Sequence, residues 1–363
     1  MKRINGFTCA RRLSFVGLLA LATSCCANLA LAQDDPPDRP MFARILNANP
    51  VPAAASTLPE WNGSFTYLGT NYPFSMVGTN PSTTNTATTI PVFIIPVKIV
   101  ITRGGTKTFD PASIPANTGG LTAIQNTVQS PIFESLTTYV QGGVNVGTTQ
   151  YIDAFQRANF WGSVHTNTGY HLLLGTPVVL PEVTLTPPFL KGKTGTSGGE
   201  TVAEVDINWI DGQFKSLITS LGIQPNTIPI FMTYKTYLTS HGCCIGGYHS
   251  ATGAQSYMHF TYLDQAGLFS EDVSALSHEL GEWADDPLIN QPNGNNTPCG
   301  ILEVGDPLEG LANFGTFPYV LHGFTFHLQD LVTLPYFGAP PSTSVNGFFT
   351  FQGQVLTVCQ HGA

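Results

Sequence analysis

The chain has 363 residues, a formal net charge of −9, only 10% charged residues, and 37 Gly and 27 Pro. The acidic balance argues against nucleic acid and anionic membrane surfaces as partners. Sparse charge with abundant Gly and Pro fits an exported, loop-rich protein better than a cytosolic helical enzyme, and the length is enough for one large domain or two smaller ones.

Residues 1–32 read as a secretory signal. Lys2, Arg3, Arg11 and Arg12 form a basic start, residues 13–31 are largely apolar, and Ala30-Leu31-Ala32 supplies a small-x-small cleavage pattern before Gln33. Cleavage after Ala32 would remove basic residues and no acidic ones, leaving the mature chain more acidic still. Thr23, Ser24, Cys25, Cys26 and Asn28 interrupt the apolar run. No later segment offers the ~20 apolar residues of a spanning helix. The expectation is a secreted or periplasmic protein that does not span a membrane. Ala22-Thr23-Ser24-Cys25 faintly resembles a lipoprotein box with anchoring at Cys25, but Ala22 stands where Leu is usual, so soluble export is preferred.

Of the 7 cysteines, Cys9, Cys25 and Cys26 would leave with the signal, and Cys243, Cys244, Cys299 and Cys359 would remain. In an oxidising compartment an even set implies two disulfides. A bond between adjacent cysteines is geometrically awkward, so Cys243 and Cys244 are each expected to reach Cys299 or Cys359. The pairing stays open.

Residues 33–89 read as a flexible lead-in rich in Pro and Thr. From Ile90 the pattern becomes ordered, with a strong strand over residues 91–101. Residues 121–139 look helical but for Pro131, and residues 149–161 form a second helix candidate. Residues 170–185 suggest short strands broken by prolines. Residues 205–221 predict a helix closed by Gly222, and residues 228–238 and 257–263 predict strands. Residues 314–363, rich in aromatic and β-branched side chains, read as a β-rich C-terminal segment after a domain over 90–313. The expected fold class is α+β.

The richest stretch is Ser277-His278-Glu279-Leu280-Gly281-Glu282-Trp283. It reads as an H-E-x-x-H zinc-peptidase helix with the second His replaced by Glu282. A carboxylate still ligates zinc, and residues four apart on a helix reach one ion. The helix is expected over residues 270–286, capped by Ser270, with Glu271 and Asp272 in its first turn and Pro287 ending it. At about 100° per residue, Val273, Leu276, Leu280 and Trp283 share one side and His278, Glu282 and Asp285 the other, with Glu279 between. Downstream, Glu303 and Asp306 offer carboxylates to complete a metal site. His249, after Gly246 and Gly247, is an outside candidate. Asp285 and Asp286 with Asn290, Asn293 and Asn295 could form a calcium site, though a plain polar loop is the simpler account.

His278, Glu279, Leu280, Glu282, Asp286-Pro287, Asn290, Glu303, Val304 and Asp306 resemble the H-E-[LV]-x-E … N-P … E-I-x-D pattern of secreted proteins related to the plant phosphate-induced (exordium-like) family. They also resemble a distant variant of the zincin metallopeptidases. That resemblance implies a zincin-like mixed sheet with an active-site helix. It implies His278 and Glu282 as metal ligands, Asp306 or Glu303 completing the site, and Glu279 polarising the attacking water. Zn²⁺ is the implied ion, and the glutamate ligand makes Mn²⁺ or Ca²⁺ more competitive. The implied activity is a metal-dependent hydrolase, a peptidase acting on extracellular protein or peptide. The rival reading is a non-catalytic secreted or cell-surface binding protein whose metal is structural or absent.

Gly195-Thr196-Ser197-Gly198-Gly199 matches G-x-S-x-G, but the preceding residues make a poor buried strand for a nucleophile elbow. A glycine turn is the better account.

Overall fold

Eleven strands gather into one large mixed sheet. The computed structural model describes residues 41–45, 49, 51, 56–67, 69–240, 242–289, 302–334, 337–341, 344–345 and 348–353. Strands take 41% of the described residues and helices 18%. This overturns the expected zincin-like α+β fold: the molecule is mostly β, its large sheet nearly closed like a barrel. The reason is non-local pairing. Short runs read singly as strands or loops find partners far along the chain.

The sheet centre is parallel. Val92–Ile101, Ile228–Tyr234 and Gln255–Tyr262 lie side by side, with Ile230 opposite both Ile94 and Met258. Every residue of Ile228–Tyr234 is buried, as expected of a strand covered on both faces. Ile228, Ile230 and Met232 join one apolar cluster, and Phe231 joins another on the opposite face. Cys243–Thr252 then runs antiparallel to Gln255–Tyr262. Met41–Ile45 lies parallel along the other edge of Cys243–Thr252.

A helix covers each face. Ile207–Ser220 turns Ile210, Phe214 and Ile218 onto one cluster. Its N-cap Asp206 accepts the Trp209 N–H at 2.9 Å. At its other end Gly222 takes φ +65°, and Ile223 N–H reaches Ile218 C=O, the paired closure that a left-handed glycine permits. The opposite face receives Ser274–Asp285 through Leu276, Leu280 and Trp283. Tyr151–Asn159 packs nearby, Gln156 Nε2 donating to Asp285 Oδ1 at 2.8 Å.

Several expectations are corrected. Residues 33–89 include Met41–Ile45 and a hairpin, Glu60–Tyr67 with Thr70–Val77, whose Phe65, Phe74 and Met76 enter the same core as the motif helix. Residues 121–139 hold only a short helix, Ala123–Val128, then turns and the strand Thr137–Gln141. Cys243 and Cys244 bond to each other instead of reaching Cys299 or Cys359. The peptide between them is cis. Cys299, Cys359, Asn290, Asn293, Asn295 and the expected signal at 1–32 with Cys25 lie outside the described residues. Among the described residues, no helix is long and apolar enough to cross a membrane. Ser197 ends Gly192–Ser197, and Gly198 and Gly199, both at positive φ, turn the chain into antiparallel Glu200–Asp206. With a strand following the serine, there is no strand-to-helix elbow.

Candidate metal centre

Ala, Leu and Glu favour the helix Ser274–Asp285. Pro287 stops it by holding Asp286 away from helical geometry, at φ −142° and ψ 68°. Ser270 is not its N-cap. Ser270 and Asp272 both take positive φ and reverse the chain before the helix, so Glu271 and Asp272 lie outside its first turn. The expected division into two faces holds in the packing, but the polar face is not a surface. All twelve residues are buried.

What covers that face comes from three distant segments. Residues 302–309 cross it, and Gly305 N–H approaches Glu282 Oε1 at 3.3 Å. Phe324–Gln329 contributes Gln329, whose backbone N–H donates to Ser277 Oγ at 2.8 Å. Phe42, from the Met41–Ile45 strand, lays its ring 4.0 Å from the His278 ring and 4.5 Å from Phe269.

Beneath this cover the expected residues converge. His278 Nε2 lies 2.9 Å from Glu282 Oε1 and 3.5 Å from Asp306 Oδ1. Glu303 approaches Glu282, with which it hydrogen-bonds, and groups with His249 rather than with His278. His249 is no loop residue. It faces the helix from Cys243–Thr252, its Nδ1 being 3.1 Å from Glu279 Oε2 and 3.5 Å from Glu282 Oε2. Strand alternation places it: Tyr248 points into the cluster on the other face. Gly247 makes the approach feasible, since a Cβ there would stand 2.8 Å from Glu279 Oε1.

Two members had no place in the motif reading. Glu309 groups with His278 and Asp306. It follows the 3-10 turn Asp306–Leu308, where side chains three apart eclipse, so its spacing from Asp306 was a usable signal. Gln329 Oε1 hydrogen-bonds His278 Nδ1. Its Nε2 donates to Phe314 C=O at 3.1 Å and Gly305 C=O at 3.4 Å. The amide is therefore fixed with its oxygen toward the imidazole, so His278 Nδ1 carries the proton and Nε2 presents its lone pair to Glu282 and Asp306. No sequence pattern announces Gln329.

Burial dominates the electrostatics. It lowers His278 to about 4, opposed by Glu309, Gln329 and Glu303. Burial raises Glu279 well above the carboxylate range, reinforced by Glu282, Asp306, Glu303 and Glu309. Glu282 is raised likewise, by burial and then by Glu303. Among the described residues, Glu279 and Glu282 form their ion pairs with imidazoles alone. Such a cluster is costly unless its carboxyl groups take up protons or a cation. Comparison with protein-family models, with curated proteins and with solved structures finds no match.

A second His–carboxylate group braces the turn before the helix. His327 Nδ1 lies 2.7 Å from Asp272 Oδ2 and 3.3 Å from Glu271 Oε1. Burial pushes Asp272 up to about 6, while His327 hydrogen bonds hold it down. His327 also donates its backbone N–H to Asp272 Oδ1 at 2.9 Å. These bonds satisfy the group as a structural pair.

Proposed function

We propose that this chain is an exported metal-dependent hydrolase that acts on extracellular protein or peptide. One observation carries the reading: the His278 Nε2 lone pair faces Glu282 Oε1 at 2.9 Å, fully buried, yet Nε2 makes no hydrogen bond. Two acceptors at that distance repel unless a proton or a cation joins them. His278, Glu282 and Asp306 are the donors that would hold it, and the nitrogen–carboxylate mixture suits Zn²⁺ before Mn²⁺ or Ca²⁺. A bound ion supplies Lewis acidity and lowers the pKa of water.

The remaining chemistry belongs to the chain. Glu279 Oε2 is held by His249, and Glu279 Oε1 is buried without a hydrogen-bond partner. On this reading Oε1 takes a proton from water as oxygen adds to a carbonyl carbon and returns it to the leaving nitrogen as the C–N bond breaks. The acidic composition and basic, apolar N-terminus support export and disfavour nucleic acid as a partner. The test is Glu279→Gln in a metal-loaded preparation screened against unfolded protein substrates. Loss of turnover by ~10²-fold or more with metal retained supports the base assignment. Unchanged turnover refutes it.

One observation favours a second reading, an exported binding protein with a structural ion. Phe42 covers His278, and within the cluster Asp306 alone is substantially exposed, at 29%. Stoichiometric metal with no turnover on any substrate, in the intact chain and in Phe42→Ala, would select that reading.

A further inference from the structure

We propose that a cleft beside the Cys243–Cys244 bond binds a neutral saccharide. The cleft encloses about 440 Å³, a size that small-molecule sites commonly have, and its lining includes Lys193, Glu204, Asp206, Asn208, Thr239 and Cys243. It stands apart from the metal centre, sharing no residue with it.

Strand register assembles the cleft. Lys193 of Gly192–Ser197 stands opposite Glu204 of Glu200–Asp206. Two residues on, Asp206 stands opposite Thr239 of the strand Thr236–Thr239, and Thr239 stands opposite Cys243. Opposed residues share a face of the sheet, as do Glu204 and Asp206 two positions apart. The row therefore runs unbroken across four neighbouring strands. Val202 and Tyr237, on that same face, enter the core beneath the motif helix, so the cleft and the metal centre lie on one side of the sheet. Gly195, from the G-x-S-x-G run, has a use here. A Cβ at this position would stand 1.8 Å from Glu204 Oε1, so only a bare backbone lets that carboxylate lie where it does.

Charge pairing selects a neutral ligand. Lys193 Nζ lies 2.9 Å from Glu204 Oε2, and Lys191 Nζ lies 3.0 Å from Asp206 Oδ2. Each carboxylate is already matched by an ammonium group, so a charged ligand must break a pair to gain one. A polyhydroxy ligand keeps both pairs. Its adjacent hydroxyls each donate and accept, and they meet carboxylate oxygens, ammonium N–H groups, the Asn208 amide and the Thr239 hydroxyl. The aliphatic stem of Lys193 and the sulfur surface of Cys243 supply an apolar wall for the C–H face of a sugar ring. Asn208 and Gly242 are exposed at the rim.

The test is saturation-transfer NMR on the full mature chain, with and without chelator. Maltose and cellobiose are the free-sugar probes; soluble starch and hydroxyethyl cellulose present similar units in chains. Transfer to at least one probe at millimolar concentration is expected, and chelator should not diminish it, so the outcome is separate from the metal reading. A response to the free sugars assigns a small saccharide, and a response to the polymers alone assigns a glycan chain. Asn208→Ala combined with Thr239→Val should weaken binding ~10-fold, as expected for the loss of two hydrogen bonds. A thermal melt checks that variant, and if it is misfolded Asn208→Ala alone, on the exposed side of its helix, is expected to weaken binding about threefold. Transfer to none of the probes, or unchanged affinity in the folded variant, overturns the proposal.

Discussion

Gly305→Ala places one methyl group against the proposed ligand. Gly305 has φ −91° and ψ −33°, a conformation that alanine adopts freely, so the backbone itself resists nothing. The added Cβ would lie 2.2 Å from His278 Nδ1 and 2.7 Å from Cε1, whereas ordinary contact begins at 3.4 Å, so the ring must retreat by about 1.2 Å. Phe42 stands 4.0 Å away, and the bond from Nδ1 to Gln329 must break. Overpacking of this kind costs about 1–3 kcal/mol of stability. Disturbing the partners that orient a ligand weakens metal affinity about 10–100-fold. A 1 Å misplacement costs turnover about 10²-fold. Zn²⁺ affinity would be measured by competition with a chromophoric chelator, beside a thermal melt. Gly212→Ala is the control: a Cβ there meets nothing within 4 Å, and in the helix Ile207–Ser220 it should stabilise by about 0.5–1 kcal/mol. Unchanged Zn²⁺ affinity in a folded Gly305→Ala protein would refute His278 as a ligand.

Asp285 is fully buried and pushed up to about 8 by that burial, with Gln156 donating to one oxygen and no bond to the other. Because its folded pKa lies above its unfolded value of 3.8, the folded state holds the extra proton and stability falls as pH rises from about 4 through about 8. Asp285→Asn should therefore gain on the wild type across that window, by at most about 1.4 kcal/mol per pH unit; urea unfolding at pH 5 and pH 8 giving the same difference would contradict this. Phe42→Ala should uncover His278 in the metal-stripped chain, raising its carbethoxylation rate, read by mass spectrometry, about tenfold at a stability cost near 3 kcal/mol; equal rates would show that the ring does not shield the imidazole.

The local signals in this sequence were readable and the long-range ones were not. Gly222 marked a helix end because only its left-handed geometry closes Ile207–Ser220 so economically. The motif helix was visible in its composition and in Pro287. Its start was not, since positive φ at Ser270 and Asp272 follows from tertiary turns rather than from local preference. His278 and Glu282 come together because they lie one helical turn apart, and Asp306 meets them from the segment that crosses the helix. His249 could be named only as an outside candidate, as its approach depends on how Cys243–Thr252 pairs in the sheet. Phe42 and Gln329 were invisible. They contribute position, not ligand chemistry, and they arrive from opposite ends of the chain. The large sheet escaped for the same reason. Several of its pairings span long separations, as when Met41 pairs with Ile245, and nothing in residue type encodes that choice.

The most direct test of the metal centre is anomalous diffraction at the zinc absorption edge from crystals of the Zn²⁺-loaded mature chain. A strong peak between His278, Glu282 and Asp306, absent from Glu282→Ala crystals grown in the same way, is the predicted result. A well-ordered cluster with no anomalous peak, at a Zn²⁺ concentration that saturates ordinary zinc enzymes, would contradict the account.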